Sequence, residues 1–313
     1  MFTVAAAVSF VAGGILQALL PFEIDIKTAT SIIFSVCIFI LWKRKFSILE
    51  KGIKLMAIVM FLTTLVTFTL VLIQPEIAVI QKVQIPASLP VIIALMGWMP
   101  TALDISSWSS LWTVEKMKDE SVSIADAKFD FNFGYIITAL LALVFLVLGA
   151  KTLFPSSIVL LDTAVGFANQ LLSIFTSTIG NWSFYLVGLA AFSIMFSTSL
   201  TVFDGYSRAV SHVLKLLGLE NVSEEQIFRI VLVLMALVSL GIVYLFGSSL
   251  TFLVGLATTI SFVIAPVIAL ANLYLVKNSN FPFEEQPKTG LFVLSICGFI
   301  FLTGFSVVYL FNL

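Results

Sequence analysis

Nine runs of apolar residues recur along the chain, at about 3–20, 28–42, 52–73, 89–114, 132–150, 183–203, 227–246, 250–276 and 290–312. A helix needs about 20 residues to cross roughly 30 Å of hydrocarbon, so runs of this length predict membrane-spanning helices. In lipid no water is at hand for backbone amides, and a helix satisfies them within one segment. Composition agrees, with 60% of the 313 residues hydrophobic and 11% charged, against roughly 45–50% and 25% in soluble domains. The fold class that follows is an all-α membrane protein, with the lipid bilayer as its obligatory partner. Nucleic acid is excluded, because the net charge is −1 and no basic stripe is present to follow a phosphate backbone.

Between the fifth and sixth runs, Ser156–Ile179 is an apolar stretch carrying Asp162, Asn169 and Gln170. It reads as a tenth span or as an interfacial helix. Charge separates the two, since short cytoplasmic loops carry the Lys and Arg excess. With nine spans and the first loop outside, 13 of the 16 basic residues fall inside, leaving Lys27, Lys82 and Lys151 outside. A crossing at 156–179 would leave eight on each side. The expected topology therefore has nine spans in the cell inner (plasma) membrane, the first running outward, and a C-terminus outside. Phe2–Leu20 reads as a retained span, because no positive residue precedes it and the first charge, Glu23, lies beyond Pro21. The chain reads as a single transmembrane domain, 1–313, in which the polar Phe281–Pro287 loop marks no boundary. Cys37 and Cys297 sit in apolar runs without a CxxC spacing and read as small core- or lipid-facing residues.

The fourth run is the informative one. Pro100 offers no backbone donor to the carbonyl four residues back, that of Met96, and Gly97 adds local freedom. Freed carbonyls in lipid need a partner. A cation in a protein-lined cavity is one; an ordinary proline kink, with serines bonding back to their own helix, is the bland alternative. The half before Pro100 is apolar, whereas the half after it carries Thr101, Asp104, Ser106, Ser107, Ser109 and Ser110, the pattern of a wet pathway. The thioether of Met99 favours softer transition metals over Ca²⁺ or Mg²⁺, which take oxygen ligands, although a methionine in such a place also serves as packing. A continuous helix would put Asp104 on one face with Thr101 and Trp108. An intramembrane carboxylate is a candidate for proton or cation transit.

Weaker candidates are Asp130 and Asn132 opening the fifth run, Asp204 four residues before Arg208, and Asn272 in the eighth run with Thr258, Thr259 and Ser261. Each also reads as a boundary group or as hydroxyl and amide bonding between helices. His212, the single histidine, reads as a solvated imidazole. No GxSxG, HExxH, P-loop or paired-carboxylate motif supports an enzyme, and no resident cofactor is implied. Energy for any transport is expected from ion gradients.

Three stretches, Gly97-Trp-Met-Pro-Thr-Ala-Leu-Asp-Ile-Ser-Ser-Trp-Ser-Ser-Leu-Trp112, Phe129-Asp-Phe-Asn-Phe-Gly-Tyr135 and Thr201-Val-Phe-Asp-Gly-Tyr-Ser-Arg208, resemble the natural resistance-associated macrophage protein (Nramp) family of divalent-metal transporters, in a divergent bacterial branch. The resemblance runs along essentially the whole chain, and the first stretch is the specific one: it looks like the family's unwound sixth helix with its Met-Pro pair. The resemblance implies a leucine-transporter-like, inverted-repeat fold of the APC superfamily, with about nine of eleven transmembrane helices present. Residues 1–75 would be an incomplete first repeat of three helices, 89–276 a second repeat of five, and 290–312 an additional C-terminal helix. The first span here would be the family's third, and its direction agrees with the charge count. The two preceding helices, with an Asp-Pro-Gly-Asn motif that supplies half of the metal ligands, are expected to be missing from an N-terminally truncated form.

Carried over by resemblance, Met99 would be the sulfur ligand and the Met96 backbone carbonyl the oxygen ligand. Thr101 and Ser106 stand where the family has histidines, so proton coupling would need a substitute, and Asp104 is the residue expected to supply it. The implied function is secondary transport of a divalent metal ion, Mn²⁺ or Fe²⁺ favoured by Met99 and Mg²⁺ left open by divergent relatives, in symport with protons. An amino-acid or organic-solute transporter of the same fold and a non-transporting membrane fragment are the alternatives, because fold likeness alone does not choose among them.

Overall fold

The computed structural model describes residues 1–43, 47–73, 89–99, 101–119, 123–153, 161–218, 221–277, 282 and 285–311. Pro100, the start of the Ser156–Ile179 stretch and Phe281, Phe283 and Glu284 of the Phe281–Pro287 loop lie outside them. The described residues form eleven helices and no strand: α1 (Phe2–Leu19), α2 (Ile26–Lys43), α3 (Ser47–Ile73), α4 (Leu89–Trp98), α5 (Ile105–Asp119), α6 (Ile124–Thr152), α7 (Ala164–Ile179), α8 (Ser183–Leu216), α9 (Glu224–Phe246), α10 (Leu250–Lys277) and α11 (Thr289–Phe311). Seven of these are long and apolar enough to cross a membrane, and α2 and α7 are shorter apolar helices. The chain is an all-α membrane protein. Every predicted run lies on helix, with the fourth divided between α4 and α5.

Three elements differ from the sequence expectation. The fifth run belongs to α6, which already starts at Ile124, so Asp130 and Asn132 lie inside that helix and do not open it. The sixth run extends well past residue 203, because no proline follows and α8 continues to Leu216; Asp204 and Arg208 are thus inside a helix and do not close one. The ambiguous stretch contains α7, whose 16 residues reach about 24 Å at 1.5 Å each, short of the bilayer core. Its Ala164, Ala168, Leu172 and Phe175 are buried while Asn169, Ser173 and Ser177 are exposed four residues apart. That amphipathic division suits a helix packed along one side, the interfacial alternative.

The helices group into two compact units, Met1–Val83 with Leu140–Val254, and Gln84–Ala139 with Gly255–Leu313. In the first, α1 is the central helix, packed on α2, α7, α8 and α9, with α3 against α7 and α8. Its sequence explains the position. Between lipid-soluble helices there is no hydrophobic driving force, so close packing through small residues and buried hydroxyl bonds has to hold them. Ala5, Ala6, Ala7 and Ala12 are fully buried. Ser9 donates to the hydroxyl of Ser199 at 3.1 Å, and Ser239 donates to the carbonyl of Phe2 at 3.0 Å. A Cβ on Gly14 would lie 2.5 Å from the backbone carbonyl of Ala164, so only glycine lets α1 touch the first turn of α7. Cys37 is buried in this unit, and Cys297 of the second unit is exposed.

The second unit contains α4, α5, the first part of α6, most of α10, and α11, which packs on α4. Both α6 and α10 are continuous helices shared by the two units.

Gly14→Val is expected to cost about 1–3 kcal/mol by overpacking, read as a lowered melting temperature in detergent. Gly241→Ala, whose new Cβ would meet nothing within 4 Å, is the matched control and should melt like the parent. Identical melting of both variants would show that α1 is not held by this contact.

Candidate functional site

The break in the fourth run is built in three steps. The α4 ladder ends with the bond from the Met99 amide to the Leu95 carbonyl at 3.1 Å. The next residue in sequence is proline, which has no N–H to offer the Met96 carbonyl. Tight three-residue turns then restart the helix: Ile105 donates to Ala102 at 3.3 Å, Ser106 to Leu103 at 3.1 Å and Ser107 to Asp104 at 3.2 Å. Asp104 therefore stands immediately before α5, where a continuous helix would have put it inside one. Its carbonyl accepts bonds from the Trp108 indole at 2.8 Å and the Ser107 hydroxyl at 2.7 Å, which fix the start of α5.

Both halves of the break are braced on α10. Gly97 is buried, and a Cβ there would lie 2.1 Å from the Thr258 carbonyl oxygen, so the α4 and α10 backbones are in contact. Trp98, the next residue, donates its indole N–H to the Ser261 hydroxyl at 3.2 Å. On the α5 side, Asn272 donates to the Ser106 hydroxyl at 3.3 Å. Three polar residues of the eighth run thus converge on the two edges of one interruption. Pro266 lies between Ser261 and Asn272 within α10, where it deprives the Phe262 carbonyl of its usual donor.

A groove of about 250 Å³ adjoins the break. Thr101, Ile105 and Ser109 line one side, and Asp130, Phe131, Gly134, Tyr135 and Thr138 of α6 line the other. The spacing of four residues on both sides, 101, 105, 109 and 130, 134, 138, sets each lining row along one side of its segment. The structure thereby brings Thr101 and Asp130 to one groove. The other predicted residues lie elsewhere. Met96 is half-buried, Met99 is 42% exposed at the end of α4, and Asn132 is exposed on α6. Asp204, in the first unit, accepts from Arg208 Nε at 3.2 Å and Nη2 at 3.0 Å, and the guanidinium lies over the Phe228 ring. Both its oxygens are engaged in an ion pair within α8. His212, expected as a lone imidazole, has Glu224 at 3.6 Å.

Among the described residues, no group of three His, Cys, Asp or Glu side chains could hold a metal ion. Ligation at the break would rest on the Met99 sulfur, main-chain carbonyls and hydroxyls. One residue with a defined role escaped the sequence reading. Asp162 was visible only as a polar residue in an apolar stretch, yet its carboxylate accepts the Thr251 amide at 2.7 Å, across 89 residues of sequence. An Asp-Thr pair ahead of a helix signals a cap for that helix. Nothing local signals a cap for a distant one.

Comparison with known proteins bears on the whole length. Residues 1–312 match the family described as natural resistance-associated macrophage protein-like. The chain is similar to the uncharacterized protein PM0681 of Pasteurella multocida (strain Pm70), 34% identical over 312 residues that cover 97% of this chain and 71% of that one. No solved structure matches it. A match that spans the interrupted helix and every other described element is a statement about the entire fold, and the chain belongs to the natural resistance-associated macrophage protein-like family, membrane transporters of divalent metals.

Proposed function

We propose that this chain is a secondary transporter that moves divalent metal cations across the membrane, with the interruption between Met99 and Asp104 forming part of the cation path. The observation that carries this reading is the bracing of both edges of the interruption by α10, at Thr258, Ser261 and Asn272. A simple kink would need no such support, whereas a site with unwound backbone has to be held open by neighbouring helices. In this reading the Met99 sulfur and the Met96 carbonyl are ligands, which favours Mn²⁺ or Fe²⁺. Thr101 lies on the pathway, and Asp104 or Asp130 takes the proton-coupling role, since no histidine lies in this segment.

A second reading, Mg²⁺, is favoured by the groove: its polar side chains, Thr101, Ser109, Asp130, Tyr135 and Thr138, all offer oxygen, the donor that hard cations require. The topology that accompanies either reading has nine spans in the plasma membrane and the C-terminus outside, supported by the 13 basic residues it places in the cytoplasm. The 89–276 segment acts as the second repeat and 1–75 as part of the first.

Uptake of Mn²⁺ and of Mg²⁺ into proteoliposomes tests this, using the chain together with any sequence its gene encodes ahead of Met1. Met99→Ala is expected to lower Mn²⁺ uptake by roughly tenfold, the scale of losing one contact at a metal site, and to leave Mg²⁺ uptake unchanged. Equal Mn²⁺ uptake by parent and variant would remove Met99 from the ligands; Mg²⁺ uptake that exceeds Mn²⁺ in both would establish the oxygen-only reading.

Gly97→Leu is expected to depress uptake of either ion by about tenfold or more, because it forces α4 away from the Thr258 backbone. Gel filtration in detergent should still show a monodisperse protein. Unchanged turnover would mean that the brace is dispensable.

A further inference from the structure

Pro100 and Pro266 each strip a helix carbonyl of its usual donor, that of Met96 at the end of α4 and that of Phe262 within α10. Neither loss is small, since an unserved backbone group in hydrocarbon costs several kcal/mol. The first belongs to the break itself. The second lies in a helix that otherwise runs from Leu250 to Lys277.

Packing within the second unit brings the two together. Gly97, whose nitrogen carries the Met96 carbonyl, touches the Thr258 backbone, and a Cβ on it would lie 3.4 Å from the Cβ of Phe262. Phe262 is fully buried, and Thr258, Ser261 and Ala265 are buried with it at helical spacing. Direction matters as well. Along Gly97, Trp98 and Ser106 the α10 partners are Thr258, Ser261 and Asn272 in turn, so α10 runs the same way as the interrupted segment. Carbonyls in a helix point to its C-terminal end. Both freed carbonyls therefore point out of the Gly97 contact and toward the interruption. Phe262 is four residues, about 6 Å, past Thr258, while Asn272 is bonded to the far edge at Ser106. The Phe262 carbonyl thus stands beside the gap into which the Met96 carbonyl opens.

One proline-freed carbonyl is an ordinary kink. Two of them, from neighbouring helices and aimed into one gap, are the oxygen donors that interrupted helices offer to cations. Among the described residues no group of three His, Cys, Asp or Glu side chains competes for that role. We propose that the main-chain carbonyl of Phe262 is a cation ligand on the α10 side of the path, paired with the Met96 carbonyl on the α4 side. The assignment rests on the cation path proposed above. Carbonyl oxygen suits Mg²⁺ and Mn²⁺ alike, so Phe262 contributes to binding of either ion, whereas the Met99 sulfur discriminates between them.

The test is equilibrium binding and proteoliposome uptake of Mn²⁺ and Mg²⁺ by the parent, Pro266→Ala and Pro266→Gly. Each variant restores an N–H at position 266 and with it a donor to the Phe262 carbonyl; alanine also stiffens the helix, whereas glycine keeps it pliant. Both should raise Kd and KM for both ions about tenfold, the scale of losing one contact at a metal site. Weaker binding in Pro266→Ala alone would assign the effect to pliancy and overturn the proposal, as would parent-like affinity in both. A third variant leaves Pro266 in place: the α-hydroxy acid of valine at position 263 turns the Phe262 carbonyl into that of an ester, a poorer oxygen donor. It should weaken both ions too, and parent-like affinity there would overturn the proposal even if the Pro266 variants fail to fold. A parent that binds and takes up neither ion would overturn the transporter reading together with this ligand; transport by the parent beside unchanged affinity in the variants would overturn the ligand alone.

Discussion

The contact between the backbones of α4 and α10 at Gly97 and Thr258 is what makes the interrupted helix tenable. A chain in lipid cannot leave carbonyls unserved at small cost, since each lost partner in hydrocarbon is worth several kcal/mol. Proline at position 100 removes one donor, and proline at 266 removes another within α10. The glycine permits an approach that any side chain would block, and the approach brings Trp98 within reach of Ser261. Without it, the end of α4 would need a different neighbour to hold it. The residues that look most ordinary, one glycine and one serine, fix where the unusual backbone sits.

The first unit is held together by related chemistry, used for a different end. There α1 buries alanines and a pair of hydroxyl bonds, and no proline interrupts it. Past its first turn the backbone ladder of α1 runs without a proline to break it, so the close approach holds the helix in place. Small residues therefore carry two meanings in this chain. Along α1 they make a packed centre, and at Gly97 they let a broken helix lean on its neighbour.

Much of the fold was legible because lipid imposes a length on every span. The nine apolar runs match helices within a few residues, apart from the added turns at the start of α6 and the end of α8 and the division of the fourth run. The Met-Pro break was legible for the same reason, since Pro100 denies a donor whatever surrounds it. The placement of Asp104 was not. Helical periodicity presumes the helix continues, whereas α4 stops at Trp98 and tight turns lead into α5 with Asp104 just ahead of it. Asp130 illustrates a further limit: it looked like a boundary group, and only the fold brings it to a groove with Thr101. The Asp204–Arg208 pair was visible from spacing because it lies within one helix, whereas the polar residues of α10 could not be told from ordinary interhelical bonding without their partners.

The bond from Asp162 to Thr251 shows why such ties escape a sequence reading and why they matter. A cap supplied by the preceding residue stabilises a helix but leaves it free to tilt as a body. A cap supplied from another helix constrains tilt as well, because the two amides then point at a fixed acceptor. In α10 the two kinds are combined, Ser249 for the first purpose and Asp162 for the second. Further along, Pro266 supplies a point at which α10 can flex. Pro266 lies between Ser261, bonded to the α4 edge of the interruption, and Asn272, bonded to the α5 edge, so flexure there would let the two edges shift against each other, and each part is a named residue whose chemistry requires it.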